Sequence, residues 1–328
     1  MNESYKYKTS ELEASLSSFA EKGITEFTLQ DQEVLEHKGK LLSFLKNFEK
    51  KCPEVLLTLP VSASVLDMDV CKACSRIFCT LEIPFTGTSK GNTYLFDKKF
   101  FSRRSQMLNT LGLVFGFNLD FALNAGDGIK LFFDRLDFAV SLYPNHIDFS
   151  QMETDSKNTG RASATFSTQD IKRAGKVAAG AQCFYTYGRA VTWFLSVLAP
   201  LKMSPSRFFE DFSEWCALNN YRLEGDWENL KKNHKEIEKM QLAFLKFKYE
   251  EKNKEQLFEA VSSIVRLNGA LSRCYGENEE CEVELSYNPE ELLGGGAMNV
   301  QSFFDNSFLE YSTVKVFMGS DGPDFKYC

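Results

Sequence analysis

"VLLTLPVSASVLDMDVCKACSRIFCTLEIPFTGTS", residues 55–89, holds a complete strand, helix, strand unit. The apolar run "VLLTLPV" reads as a buried strand. Asp67 then caps a helix whose apolar face is Val70, Cys74 and Ile77, and "IFCTLEI" is a second buried strand. A helical crossover between two apolar strands returns the chain to the same end of the sheet, so the strands run parallel. The second strand ends in a carboxylate, Glu82, and opens into a loop of small residues, Thr86, Gly87, Thr88 and Ser89. Small residues admit a ligand close to the backbone, so this loop reads as one wall of a binding site.

The same alternation extends in both directions. Ser10 and Glu13 have the spacing of a capping box, opening a helix with Leu12, Leu16, Phe19 and Ala20 on one face that ends at Gly23. Strand "ITEFTL" follows at 24–29, then a helix over 38–50 carrying Leu41, Leu45 and Phe48. Beyond the opening stretch, Asp97 caps a helix bearing Phe100, Phe101, Arg104, Met107 and Leu108, and "LVFGFNLDF" forms a strand at 113–121. Asp127 opens a helix over 129–142, and "HIDF" at 146–149 is the last strand of the series. Parallel strands joined by right-handed crossovers make an α/β fold, expected here as a partial parallel β/α (TIM-like) barrel of about five strand-helix units. Because a helix comes first, the barrel's first strand is expected to be missing. That leaves "ITEFTL" with an unpaired edge, which favours self-association or a partner polypeptide supplying the strand.

From about residue 165 the texture changes. Ser167 and Asp170 start a long helical stretch running toward Trp193 and Leu198, and Ser204-Pro205 supplies an N-cap and first-turn proline for a helix with Phe208, Phe209, Phe212 and Trp215. Two more helical patterns fill 234–273, and "CEVELSY" and "STVKVFM" suit a short antiparallel ribbon. The expected division is a barrel unit at 1–160 and a mainly helical domain with a short β ribbon at 161–328. Gly294–Gly296 lacks the strand-to-helix context of a phosphate loop and reads as a turn.

Composition narrows the function. With 328 residues, 43% hydrophobic, the chain can bury a large core. No apolar segment approaches the roughly 20 residues of a membrane span, and "MNESYKYKTS" lacks a secretory apolar region, which points to the cytoplasm. A net charge of −7 without a basic run argues against a nucleic-acid surface. "KKNHKEIEKM" alternates in sign and reads as a solvated helix face. Nine cysteines at irregular spacing suit reduced thiols. Cys71, Cys74 and Cys79 fall partly on a helix and partly in a strand, where they read as small buried hydrophobes rather than metal ligands.

In a parallel barrel, ligand contacts gather at the C-terminal strand ends. That rule selects Asp31, Glu82, Asn118, Asp120, His146 and Asp148. Plainer readings stand beside it. Glu82 can pair with Arg76, Arg103 or Arg104, Asp97 and Asp127 can be helix caps, and His146 can be an ordinary strand histidine.

Three stretches together resemble the radical SAM superfamily, most nearly its cobalamin-associated branch. They are "LSSFAEKGITEFTLQDQEVLEHKGKLLSFLKNFEKKCPE", "LDMDVCKACSRIFCTLEIPFTGTS" and "GLVFGFNLDFALNAGDGIKLFFDRLDFAVSLYPNHIDF". They are similar, in order, to that family's second strand with its Asp, its fourth strand ending in Glu before a Gly and Ser loop, and its fifth strand with a Gly-Asp turn. The resemblance covers roughly residues 10–150. It implies a [4Fe-4S] cluster and S-adenosylmethionine, with Glu82 and the loop Thr86, Gly87, Thr88 and Ser89 contacting the cofactor's amino or ribose groups, and Asp31, Asn118 and Asp120 beside them. The family's CxxxCxxC motif does not occur in this sequence, so the resemblance implies a truncated or cluster-less member that is not competent alone. A non-catalytic binding or scaffold barrel is the other reading, and a hydrolytic barrel using Asp31 and Glu82 as acid and base is a third.

Overall fold

The computed structural model describes residues 11, 16, 18, 22–150, 160–221, 223, 230 and 232–328. The chain divides into two compact units, Met1–Ser167 and Thr168–Cys328. Among the described residues no helix is long and apolar enough to cross a membrane.

The first unit carries strands β1 (Glu26–Thr28), β2 (Leu56–Pro60), β3 (Cys79–Pro84), β4 (Thr88–Lys90), β5 (Thr93–Leu95), β6 (Val114–Leu119) and β7 (His146–Phe149). Its helices are α1 (Gln32–Leu35), α2 (Lys38–Lys51), α3 (Met68–Cys74), α4 (Lys98–Thr110) and α5 (Ile129–Ser141). One five-stranded sheet has the order β1-β2-β3-β6-β7, and every pairing in it is parallel. Each crossover therefore steps one strand further in the same direction. With right-handed connections, that order sends every crossover helix to one face, as in a β/α barrel. The two faces differ accordingly. Leu57, Leu59, Leu81, Ile83, Phe115, Phe117, Ile147 and Phe149 are at most 1% exposed, whereas Thr58, Pro60, Thr80, Glu82, Asn118, His146 and Asp148 alternate with them and are half-buried. The sheet thus has an apolar face against the core and a polar face reachable by solvent.

Local sequence explains most element boundaries. Asp67 accepts from the backbone N–H groups of Asp69 and Val70, and Asp97 accepts from that of Phe100, so both carboxylates start helices as expected. Asp127 is a correction. The residue that caps α5 is Gly128, and the Asp127 side chain instead pairs with Arg135 inside the core. A second difference is the β4–β5 hairpin, which turns at Gly91 with φ +61° and occupies part of the expected loop. Of the helix expected over 10–22, Glu11, Leu16 and Ser18 are described and helical, while Ser10, Leu12, Glu13, Phe19 and Ala20 lie outside the described residues.

The second unit is built on α6 (Thr168–Ala181), α7 (Phe194–Leu198), α8 (Pro205–Leu218), α9 (His234–Glu251) and α10 (Phe258–Glu277). The long helix expected from Ser167 to Leu198 is interrupted by a π-helical turn at Gln182–Tyr187 and by Arg189 at φ +50°. The side chain of Gln241 stabilises that break, its Nε2 donating to the carbonyls of Phe184 at 2.8 Å and Gly188 at 3.0 Å. Phe184, Phe194, Phe208, Phe209, Phe212 and Phe244 pack ring against ring between the helices. The ribbon is a three-stranded antiparallel sheet, β10-β9-β8, of β8 (Cys281–Leu285), β9 (Ser312–Met318) and β10 (Pro323–Tyr327). Gly294–Gly296 lies in the connection between Pro289–Leu293 and Val300–Asn306. In "KKNHKEIEKM", Lys235 and Lys239 face solvent while His234, Ile237 and Met240 are buried.

His234 makes this unit sensitive to acid. Its Nε2 faces the Gly188 carbonyl at 3.3 Å and its Nδ1 faces the Arg273 guanidinium at 3.1 Å, which leaves Nδ1 only an acceptor's role. Burial, reinforced by the positive charge of Arg189, pulls its pKa from 6.5 to about 4. An unfolded chain therefore binds a proton that the folded chain refuses, so stability falls as pH drops from 6.5 toward 4. The shift corresponds to about 3 kcal/mol at most. Replacement by Gln should flatten the melting-temperature profile over that window, whereas an unchanged acid slope would show that other groups govern it.

Candidate functional site

Strand register assembles a site on the polar face. Glu82 of β3, Gly116 of β6 and His146 of β7 lie directly across from one another, and Asn118 and Asp148 form the next row on the same face. With β6 between them, β3 and β7 stand roughly 9 to 10 Å apart, too far for carboxylate and imidazole to meet over any ordinary side chain. Gly116 removes the obstacle, since a Cβ there would lie 1.8 Å from His146 Nε2. The imidazole therefore lies across the glycine, with Nε2 at 2.8 and 2.9 Å from the two Glu82 oxygens and 3.7 Å from Asp148 Oδ2. His146, Glu82 and Asp148 are 18%, 29% and 32% exposed, so the group is partly desolvated yet open.

Burial alone would depress the His146 pKa. The Glu82 hydrogen bond and the charges of Glu82 and Asp148 outweigh it, and the net shift is upward. Two carboxylates and one imidazole converge there, a donor set suited to a cation rather than an anion. Beside it, Asn118 Oδ1 is buried and has no hydrogen-bond partner, an acceptor available to a ligand.

An open cleft of about 580 Å³ lies past the C-terminal ends of β2 and β3, lined in part by Ser62, Ser64, Thr86, Gly87, Phe96 and Phe100. Pro84, two residues beyond Glu82 on β3, also lines it.

The other residues selected from sequence make contacts within the protein. Asp31 accepts from the backbone N–H groups of Glu33 and Val34, capping α1. Asp120 belongs to a buried network in which Arg135 donates to its carboxylate at 3.3 Å and to both oxygens of Asp127 at 3.0 and 3.2 Å. Thr86 Oγ1 and Asn124 Nδ2 donate to Asp120 Oδ2 at 2.9 and 2.8 Å. Burial raises the Asp120 pKa, against the opposing pull of Arg135 and Thr86. The Gly87 N–H donates to Tyr94 Oη at 2.6 Å, and Ser89 Oγ donates to the Ala125 carbonyl. Thr88 is exposed on β4. Glu82 pairs with His146 rather than with the arginines Arg76, Arg103 or Arg104 considered from sequence. The strand-end rule selects His146 from sequence, with an ordinary strand histidine as the plainer reading, but does not join it to Glu82. The available signal was Gly116, because a glycine inside a strand marks close approach by another group.

Cys52, Cys71, Cys74, Cys79, Cys183, Cys216 and Cys274 are buried. Burial pushes the Cys71 thiol up to about 11 and the Cys183 thiol up to about 12, which opposes the thiolate a metal needs. Among the described residues, the set of three or more His, Cys, Asp and Glu with ligand atoms within 4.8 Å of one another is Glu82, His146 and Asp148, without a thiol.

No family model matches the chain, and no curated protein matches it. Among solved structures, similarity is found to the radical S-adenosylmethionine methyltransferase TsrM from Kitasatospora setae. One structure, with cobalamin and a [4Fe-4S] cluster bound, aligns at 13% identity and a TM-score of 0.38, covering 44% of this chain and 31% of TsrM. A second, with tryptophan substrate and the analogue aza-SAM, aligns at 11% identity and a TM-score of 0.39, covering 44% and 30%. The aligned part is thus under a third of that enzyme's length, and such a likeness assigns no chemistry to this chain.

If Gly116 is what permits the Glu82–His146 contact, Gly116→Ala should displace the imidazole. We expect the His146 pKa, followed by NMR, to fall below its wild-type value because burial then acts with less opposition, and stability to drop by about 1 to 3 kcal/mol. An unaltered titration would mean that the ring reaches Glu82 by another path.

Proposed function

We propose that the first unit is a radical SAM-like partial barrel that binds S-adenosylmethionine or a closely related nucleoside carrying an amino-acid chain, and that it is not competent for reductive cleavage alone. The observation that carries this reading is Glu82. It stands near the C-terminal end of a parallel strand, on the polar face beside His146 and Asp148, two residues before Pro84, which lines the cleft with Thr86 and Gly87. An ammonium or sulfonium cation suits such a carboxylate, and Phe96 and Phe100 offer apolar surface for a purine. Bound S-adenosylmethionine would supply an activated sulfonium. The chain's own part is to hold the cationic end at Glu82 and to seat the rest in the cleft.

Reductive cleavage in that family needs an iron-sulfur cluster, and CxxxCxxC does not occur in this sequence, so the cluster would come from a partner polypeptide. The runner-up is a non-catalytic binding or scaffold barrel. It is favoured by the internal use of Thr86, Gly87 and Ser89, which contribute hydrogen bonds to the protein's own loops. A cytoplasmic location and either self-association or a partner chain belong to the same proposal. Among the described residues β1 is the end strand of the sheet order, where it pairs with β2.

Equilibrium dialysis with S-adenosylmethionine should show weak affinity, above the micromolar range, that falls about tenfold to a hundredfold in Glu82→Gln, the worth of one charge-assisted hydrogen bond. Sub-micromolar binding indifferent to that change would overturn the assignment. Anaerobic treatment with iron and sulfide should yield no stable absorbance near about 400 nm, the region of thiolate-to-iron charge transfer. A retained cluster in the isolated chain would refute its dependence on a partner.

A further inference from the structure

We infer that Glu82, His146 and Asp148 form a binding site for a divalent first-row transition-metal ion, a site separate from any iron-sulfur chemistry and one that competes with a nucleoside's cationic end for the Glu82 carboxylate. The ligand atoms come from β3 and β7 and lie within 4.8 Å of one another, in reach of a single ion. Metal–nitrogen and metal–oxygen bonds of about 2.0 to 2.2 Å place two ligand atoms about 3 Å apart at a right angle and about 3.4 Å apart at a tetrahedral angle. The spacings from His146 Nε2 are 2.8 and 2.9 Å to the Glu82 oxygens and 3.7 Å to Asp148 Oδ2. The first two match cis ligands, and the third exceeds the tetrahedral spacing by about 0.3 Å. Both Glu82 oxygens stand nearly equidistant from Nε2, a disposition open to bidentate ligation.

Two further features point to an ion rather than to a hydrogen bond alone. Asn118, paired in register with Asp148 on the same face, has a buried Oδ1 without a hydrogen-bond partner, a neutral oxygen in the row next to the ligands. Gly116 clears the path of the imidazole, so the glycine is spent on bringing a nitrogen to two carboxylates. One imidazole with carboxylate and amide oxygens selects zinc, manganese, iron(II) or cobalt over the all-oxygen preference of magnesium and calcium. On binding, the metal accepts the Nε2 lone pair, any proton there passes to solvent, and the excess negative charge of the two carboxylates is neutralised.

The test uses the full chain, stripped with a chelator and titrated with Co²⁺ and Zn²⁺ in the absence of any nucleoside, so that its outcome does not depend on S-adenosylmethionine binding. We expect one Co²⁺ per chain with visible d–d bands and no thiolate-to-cobalt charge transfer in the near ultraviolet. His146→Ala, Glu82→Gln and Asp148→Asn should each lower affinity at least tenfold, and Asn118→Ala severalfold. His37→Ala and Cys328→Ser, at exposed positions, should change nothing. Saturating Zn²⁺ should raise the melting temperature of the wild type and not that of Glu82→Gln. If His146→Ala fails to fold, Glu82→Gln and Asp148→Asn decide the matter through the same readouts. No bound ion, a thiolate charge-transfer band, or affinity that survives both carboxylate changes would overturn the proposal.

Discussion

The side chain of Arg135 is 1% exposed, and the guanidinium it carries into the core fixes how the chain behaves at the C-terminal ends of β3 and β6. Its charge cannot stay buried without partners. Asp127 provides both carboxylate oxygens, Asp120 provides a carboxylate oxygen and its carbonyl, and the Tyr94 ring lies 4.6 Å from the guanidinium carbon. Each partner pulls in a different segment. Asp120 and Asp127 tie the loop after β6 to α5, Thr86 and Asn124 join through Asp120, and Tyr94 brings the β4–β5 hairpin back to Gly87. Removing one member would leave a buried charge unmatched, at a cost of about 3 to 5 kcal/mol. The loops that border the cleft are therefore held by the core.

That anchoring separates two kinds of acidic residue that look alike in the sequence. Asp120 and Asp127 face a permanent cation and have a structural task. Glu82 and Asp148 stand on the polar face of the sheet beside the His146 imidazole, whose charge depends on pH. Glu82, Asn118, His146 and Asp148 lie on strands and share the solvent-reachable face by alternation, whereas Asp120 and Asp127 follow the last residue of β6, Leu119.

The fold was legible where its causes are local. The apolar runs at β2, β3 and β6 and the caps Asp67 and Asp97 are set by neighbours a few residues away, and they stand where pattern reading puts them. Through-space causes were not legible. Asp127 looked like a cap because it precedes a helix, but its partner Arg135 lies eight residues on. The break after Ala181 depends on Gln241, 57 residues beyond Phe184. The Glu82–His146 contact joins residues 64 apart on strands that are not even neighbours. No local periodicity encodes that contact, and Gly116 is its only trace within a single strand.

The electrostatics of the polar face then restrict what it can hold. Two carboxylates brought to one imidazole repel each other, and partial burial weakens the screening that would make this harmless on an open surface. The fold nevertheless holds them there, since their backbone positions are set by the β3–β6–β7 register and the imidazole is seated over Gly116. Protonation of His146 relieves the repulsion in part, which is the physical reason its pKa moves upward against the effect of burial. A cation relieves the remainder, whereas an anion such as a phosphate would add to it. The same reasoning covers an ammonium, a sulfonium and a metal ion, and what separates them is coordination. An organic cation needs the carboxylates alone, while a metal ion also engages the His146 nitrogen and the unpartnered oxygen of Asn118.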